Sequence, residues 1–76
     1  MIKVRMNRQA FQIALAKLNL SQREFAAKIG FSRSHLSFIL SGKREPSPAL
    51  RRLILENLKE YKFDDLFIIE EGKNGD

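Results

Sequence analysis

Apolar residues recur along the chain at the spacing of helices that bury one face. Phe11, Ala14, Leu15 and Leu18 form one stripe at i, i+3, i+4 and i+7. Phe25 and Ile29 form a second, Leu36, Ile39 and Leu40 a third, and Leu50, Leu53, Ile54 and Leu58 a fourth. A capping residue precedes each stripe: Asn7, Ser21, Ser32 and Ser47. Helix one is predicted to run from Asn7 to about Asn19, with Asn19-Leu20 as the link. Helix four starts at Pro48, where a missing N–H is harmless, and ends in the polar stretch 56–62. Ile2 and Val4 alternate with Lys3 and Arg5, a short period-2 pattern.

The stretch Ser21–Ser41 organises the rest. Glu24 lies three residues after Ser21, the spacing of a capping box. Gly30 ends the second helix, where a left-handed residue is common. Only Gly30 and Phe31 separate that helix from the Ser32 cap. Helices joined so tightly cross steeply, and Ala26 is small enough for the crossing. One helix is then packed underneath and the other keeps a polar face. That face carries Arg33, Ser34, Ser37 and Phe38, with His35 at its edge. Short polar groups, a forked donor and a ring suit a groove that presents hydrogen-bonding edges and methyls.

Beyond helix four, Phe63-Asp64-Asp65-Leu66-Phe67 predicts one short helical turn, its aspartates placed favourably at the start. Phe63, Leu66 and Phe67 cover the end of the core. Ile68-Ile69-Glu70-Glu71 can pair as a strand with Ile2–Arg5, basic against acidic. The ordered core spans about 7–69, and the tail 72–76 reads as disordered. The expected fold is all-α: a bundle of four helices plus a short fifth turn, with a small terminal β-pairing.

The stretch resembles the helix-turn-helix of the phage repressor and Cro family of bacterial regulators, the XRE-like group. Gln22, Ala26, Gly30 and Leu36 match its pattern, as do Gly42-Lys43-Arg44 and Pro46-Ser47. The resemblance covers about Asn7 to Phe67. Phe38 departs from it, standing where relatives usually carry a polar or basic side chain. A lambda-repressor-like DNA-binding domain is implied, acting as a transcriptional repressor or Cro-like regulator.

Composition narrows the reading. With 76 residues the chain is expected to be one domain, 1–76, and marginal in stability unless it dimerises. It has no Cys, no apolar leader and no membrane-length apolar run, which predicts a cytoplasmic protein. Residues 1–52 hold 11 Lys/Arg against 2 Asp/Glu, a net +9; residues 53–76 hold 3 Lys against 7 acids, a net −4. The basic charge thus coincides with the helix-turn-helix, and the implied partner is a polyanion.

Roles follow from the docking geometry of the motif. Arg33, Ser34, Ser37 and Phe38 are the expected base readers. Arg33 suits guanine O6 and N7, with a phosphate as the other destination. Ser34 can act directly or through water. Phe38 either meets a thymine methyl or leans back over the core. Gln22, Ser32, His35, Lys43 and Arg44 are the expected backbone contacts, with Ser32 first of all a cap. The partner is double-stranded DNA, and one reading helix calls for a homodimer on a pseudo-palindromic operator. No cofactor or metal is expected. Gly30 and Gly42 are isolated, His35 is the only histidine, and Asp64 and Asp65 point apart, so no enzyme is expected. An antitoxin-type module clamping a partner protein through Phe67–Glu71 is the alternative, and structured RNA a further candidate ligand.

Overall fold

All four caps accept the backbone hydrogen bond that their spacing assigns. Asn7 Oδ1 accepts from Ala10 N–H (3.1 Å), Ser21 Oγ from Glu24 (3.0 Å), Ser32 Oγ from His35 (3.0 Å) and Ser47 Oγ from Leu50 (3.1 Å). The computed structural model of the chain describes residues 2–71. Behind these caps run α1 (Arg8–Lys17), α2 (Gln22–Ile29), α3 (Arg33–Leu40) and α4 (Pro48–Asn57). The short α5 (Phe63–Leu66) follows, as its spacing predicts. Strands β1 (Ile2–Met6) and β2 (Phe67–Glu71) complete the fold. The expectation for the tail 72–76 lies outside the described residues.

The ends of α1, α2 and α3 are built alike. Gly30 is left-handed (φ 81°), and Phe31 N–H reaches back to Ala26 C=O (2.8 Å) while Gly30 N–H reaches Ala27 C=O (3.2 Å). These are the paired bonds of a Schellman turn, which satisfy carbonyls the helix leaves open. Gly42 (φ 83°) closes α3 in the same way, with Lys43 N–H on Phe38 C=O at 3.0 Å. Asn19 (φ 58°) closes α1, with Leu20 N–H on Leu15 C=O at 3.0 Å. The Asn19-Leu20 link is therefore itself a left-handed cap, a role that Asn tolerates better than most residues.

The core is apolar throughout: among the described residues no polar or charged side chain is buried. Phe11 of α1 meets Phe25 of α2 edge to face, with ring centroids 5.3 Å apart. Leu36, Ile39, Leu50, Ile54, Leu58 and Leu66 close around them, and Ala26 of α2 is buried as well. Phe67 is buried and Phe63 rests on it at 5.0 Å, so α5 lids the core as expected. Leu18 differs from the expectation. It is 42% exposed, because α1 stops at Lys17 and the left-handed turn at Asn19 carries the chain away.

The two strands pair antiparallel, Val4 opposite Ile69 and Met6 opposite Phe67. Opposed residues share a face. Met6 and Phe67 are buried at the inner end of one face, whereas Ile69 and Ile2 stand exposed towards its outer end. Arg5 and Glu70 form an ion pair at 2.9 Å on the opposite face. Asn7 N–H donates to Leu66 C=O (2.7 Å), joining the ribbon to α5.

Candidate nucleic-acid interface

The Schellman turn at Gly30 positions α3 across α2 with its apolar stripe, Leu36, Ile39 and Leu40, turned inward. Helical periodicity then turns Arg33, Ser34, Ser37 and Phe38 outward. All four are exposed, and together they line a shallow hollow of about 320 Å³. Phe38 is 52% exposed and does not lean over the core. It shares the hollow with Arg33 and two serines, a combination of donors, acceptors and one apolar surface.

Gln22, half-buried in the first turn of α2, lies next to this face. It shares a smaller hollow of about 90 Å³ with Arg8 and Gln12 of α1, with Ser37 of α3 and with Ser41 just after α3. Ser32 accepts the His35 N–H and keeps its own O–H available as a donor. The His35 ring is half-buried at the edge, 5.2 Å from the ring of Phe31, and does not line the Arg33–Phe38 hollow. Lys43 and Arg44 are exposed in the loop after α3, held by the Gly42 turn.

Arg8, Gln12 and Ser41 are neighbours of this face that the motif did not single out. Their signal was present: Arg8 and Gln12 lie at i and i+4, on one side of α1. What no local pattern states is that this side of α1 adjoins the first turn of α2.

The electrostatics are one-sided. Arg5–Glu70 is the sole ion pair among the described residues, none of whose acids pairs with Arg8, Arg33, Lys43 or Arg44. Glu24 is the one acid between Ser21 and Ser41, and its carboxylate is engaged. It accepts Ser21 N–H at 2.8 Å, and this bond first, then the Ser21 hydroxyl, holds its pKa below the ordinary value. Among the described residues no three His, Cys, Asp or Glu side chains converge as metal ligands would. No helix there is long and apolar enough to cross a membrane. The assembled surface is a shallow, cationic, hydrogen-bonding strip with one aromatic ring.

The family model described as Helix-turn-helix matches residues 12–66, from within α1 to the end of α5. No curated protein and no solved structure gives a significant match.

Proposed function

The chain belongs to the XRE-like helix-turn-helix family of DNA-binding regulators, and from that premise we propose that it is a repressor which reads its operator with α3. The observation that carries this reading is the outer face of α3. Arg33, Ser34, Ser37 and Phe38 are all exposed there, and among the described residues no acid forms an ion pair with the Arg33 guanidinium. A major groove about 12 Å wide admits a helix and offers partners for each group. Arg33 takes guanine O6 and N7, the serines take base edges directly or through water, and Phe38 takes a thymine methyl.

Gln22, Ser32, His35, Lys43 and Arg44 hold phosphates and fix the register. His35 does so from the rim, because its ring is committed to Phe31. One α3 spans only a few base pairs. A homodimer of single-domain chains on a pseudo-palindrome, with half-sites about 34 Å apart, supplies the rest. Between this reading and the antitoxin one, the ribbon favours the first. Phe67 is buried and residues 67–71 are paired with β1, so that segment is already occupied within the chain.

Selection of bound duplexes from a random pool tests the proposal. An enriched palindrome with one-turn spacing is the expected outcome. If each subunit neutralises about 4 phosphates, a dimer shows a log–log salt slope near −7. A slope near zero removes DNA as the ligand, and duplex RNA binding as well as duplex DNA removes major-groove reading, since A-form RNA closes that groove to a helix.

A further inference from the structure

A second basic feature lies beside the α3 face. An open groove of about 680 Å³ runs between β1, the start of α1 and the loop after α3. Lys3, Arg5, Arg8, Lys43 and Arg44 all line it, and so do two acids, Glu45 and Glu70. Both acids are already engaged. Glu70 pairs with Arg5 at 2.9 Å, and Glu45 Oε1 accepts the Val4 N–H at 2.9 Å. Among the described residues Lys3, Arg8, Lys43 and Arg44 have no acidic partner.

The Glu45 bond also has a mechanical consequence. The Val4 N–H is a β1 donor that does not point at β2, and Glu45 belongs to the loop that carries Lys43 and Arg44. One hydrogen bond therefore ties the strand bearing Lys3 to the loop bearing Lys43. The backbones that carry the cations of the two walls are thereby linked.

We propose that Lys3 and Arg8 grip the backbone phosphates of DNA flanking the base pairs that α3 faces, so that the footprint extends past the helix-turn-helix. This rests on α3 reading duplex DNA. The ligand is a run of phosphates because the groove is open, lined by cations of two separate elements, and continuous through Arg8 with the hollow that Gln22 and Ser37 share. Each cation neutralises one phosphate and releases its condensed counterions, which adds affinity with no base preference.

The test compares two duplexes, one ending at the selected site and one extended by about 10 base pairs on each side, a full helical turn. Wild type, the double variant Lys3→Ala/Arg8→Ala, and Lys43→Ala are titrated on both across a range of salt. Both substituted positions are exposed, so the double variant is expected to melt like wild type. On the long duplex its salt slope should fall by about 2 units per subunit, and on the short one by no more than about 1, since Arg8 also borders the hollow of Gln22 and Ser37. An equal fall on both duplexes overturns the flanking assignment, because the contacts then lie inside the core site. An unchanged slope on the long duplex overturns the proposal as well. If Lys43→Ala still lowers the slope in that case, only the flanking grip fails; if Lys43→Ala is also silent, the DNA reading falls with it.

Discussion

The α2–α3 pair and the β-ribbon are assembled in opposite ways. Ser21 and Glu24, which cap α2, are three residues apart, and the turn at Gly30 closes on carbonyls of its own helix. Arg5 and Glu70, which cross the ribbon, are 65 residues apart. Local bonds form without long loop closure, whereas the ribbon forms only once α1 to α5 have brought its strands together. The two regions also differ in burial. Each helix of the pair sets three fully apolar residues in the core, while the ribbon buries Met6 and Phe67 and leaves Ile2, Ile68 and Ile69 exposed. The polar strip is thus mounted on the part of the fold that is most firmly determined, and the ribbon is expected among the first parts to open locally.

The largest contrast is a stability one. Leu36→Ala removes a fully buried side chain from α3 and should lower stability by about 2–5 kcal/mol. Ile69→Ala, at 54% exposure on the ribbon, should stay within about 0.5 kcal/mol. Thermal or urea unfolding of both variants decides it. Equal losses would mean that the ribbon is as much core as the helices are.

Within the α3 region, reading and holding should separate. Arg33→Ala should cost about 1–3 kcal/mol on the selected site and relax preference at one base pair. Lys43→Ala should weaken all sequences alike and reduce the salt slope by about one unit per subunit. Affinities for selected and scrambled duplexes at several salt concentrations measure both. If Arg33→Ala weakens both duplexes equally, Arg33 is a phosphate contact and specificity lies with Ser34, Ser37, Phe38 or DNA shape.

Gly30→Val should destabilise by about 1–2 kcal/mol, chiefly through backbone conformation. A Cβ at Gly30 meets nothing within 4 Å, so the left-handed φ of 81° is the main obstacle. Gly30→Asn should recover most of the loss, because Asn visits that region more readily. Melting temperatures of the two variants separate strain from steric conflict: if both fall alike, crowding is the cause.

The smallest expected effect is a pH dependence. Glu24 has its folded pKa held below the ordinary value by Ser21. Its contribution is complete above the ordinary carboxylate range and is lost as pH falls through the lowered folded value. Glu24→Gln should flatten stability across that acidic window, because it forfeits at neutral pH the small contribution that wild type loses only in acid. The difference between the two melting-versus-pH curves is the measurement, and parallel curves would show that the capping carboxylate contributes nothing.

Much of this molecule follows from its sequence alone. Caps at Asn7, Ser21, Ser32 and Ser47, the left-handed Gly30 and the stripes of α2, α3 and α4 are set by neighbours within a turn or two, and such interactions can be read from spacing. The outward display of Arg33, Ser34 and Ser37 follows from the inward turn of Leu36, Ile39 and Leu40. Pairing of Ile2–Arg5 with Ile68–Glu71 was legible as a pattern of charge and alternation. Its depth was not: that Met6 and Phe67 are buried while Ile2 and Ile69 emerge depends on where the ribbon leaves the helical core. Leu18 fits the period of α1 yet lies exposed, since burial depends on what stands opposite and the chain turns away at Asn19. Phe38 could face either way until α3 was placed against α2. Arg8 beside Gln22, and Glu45 on the Val4 N–H, join residues 14 and 41 positions apart. Those adjacencies arise from the packing of whole elements, a property that no residue carries in its local sequence.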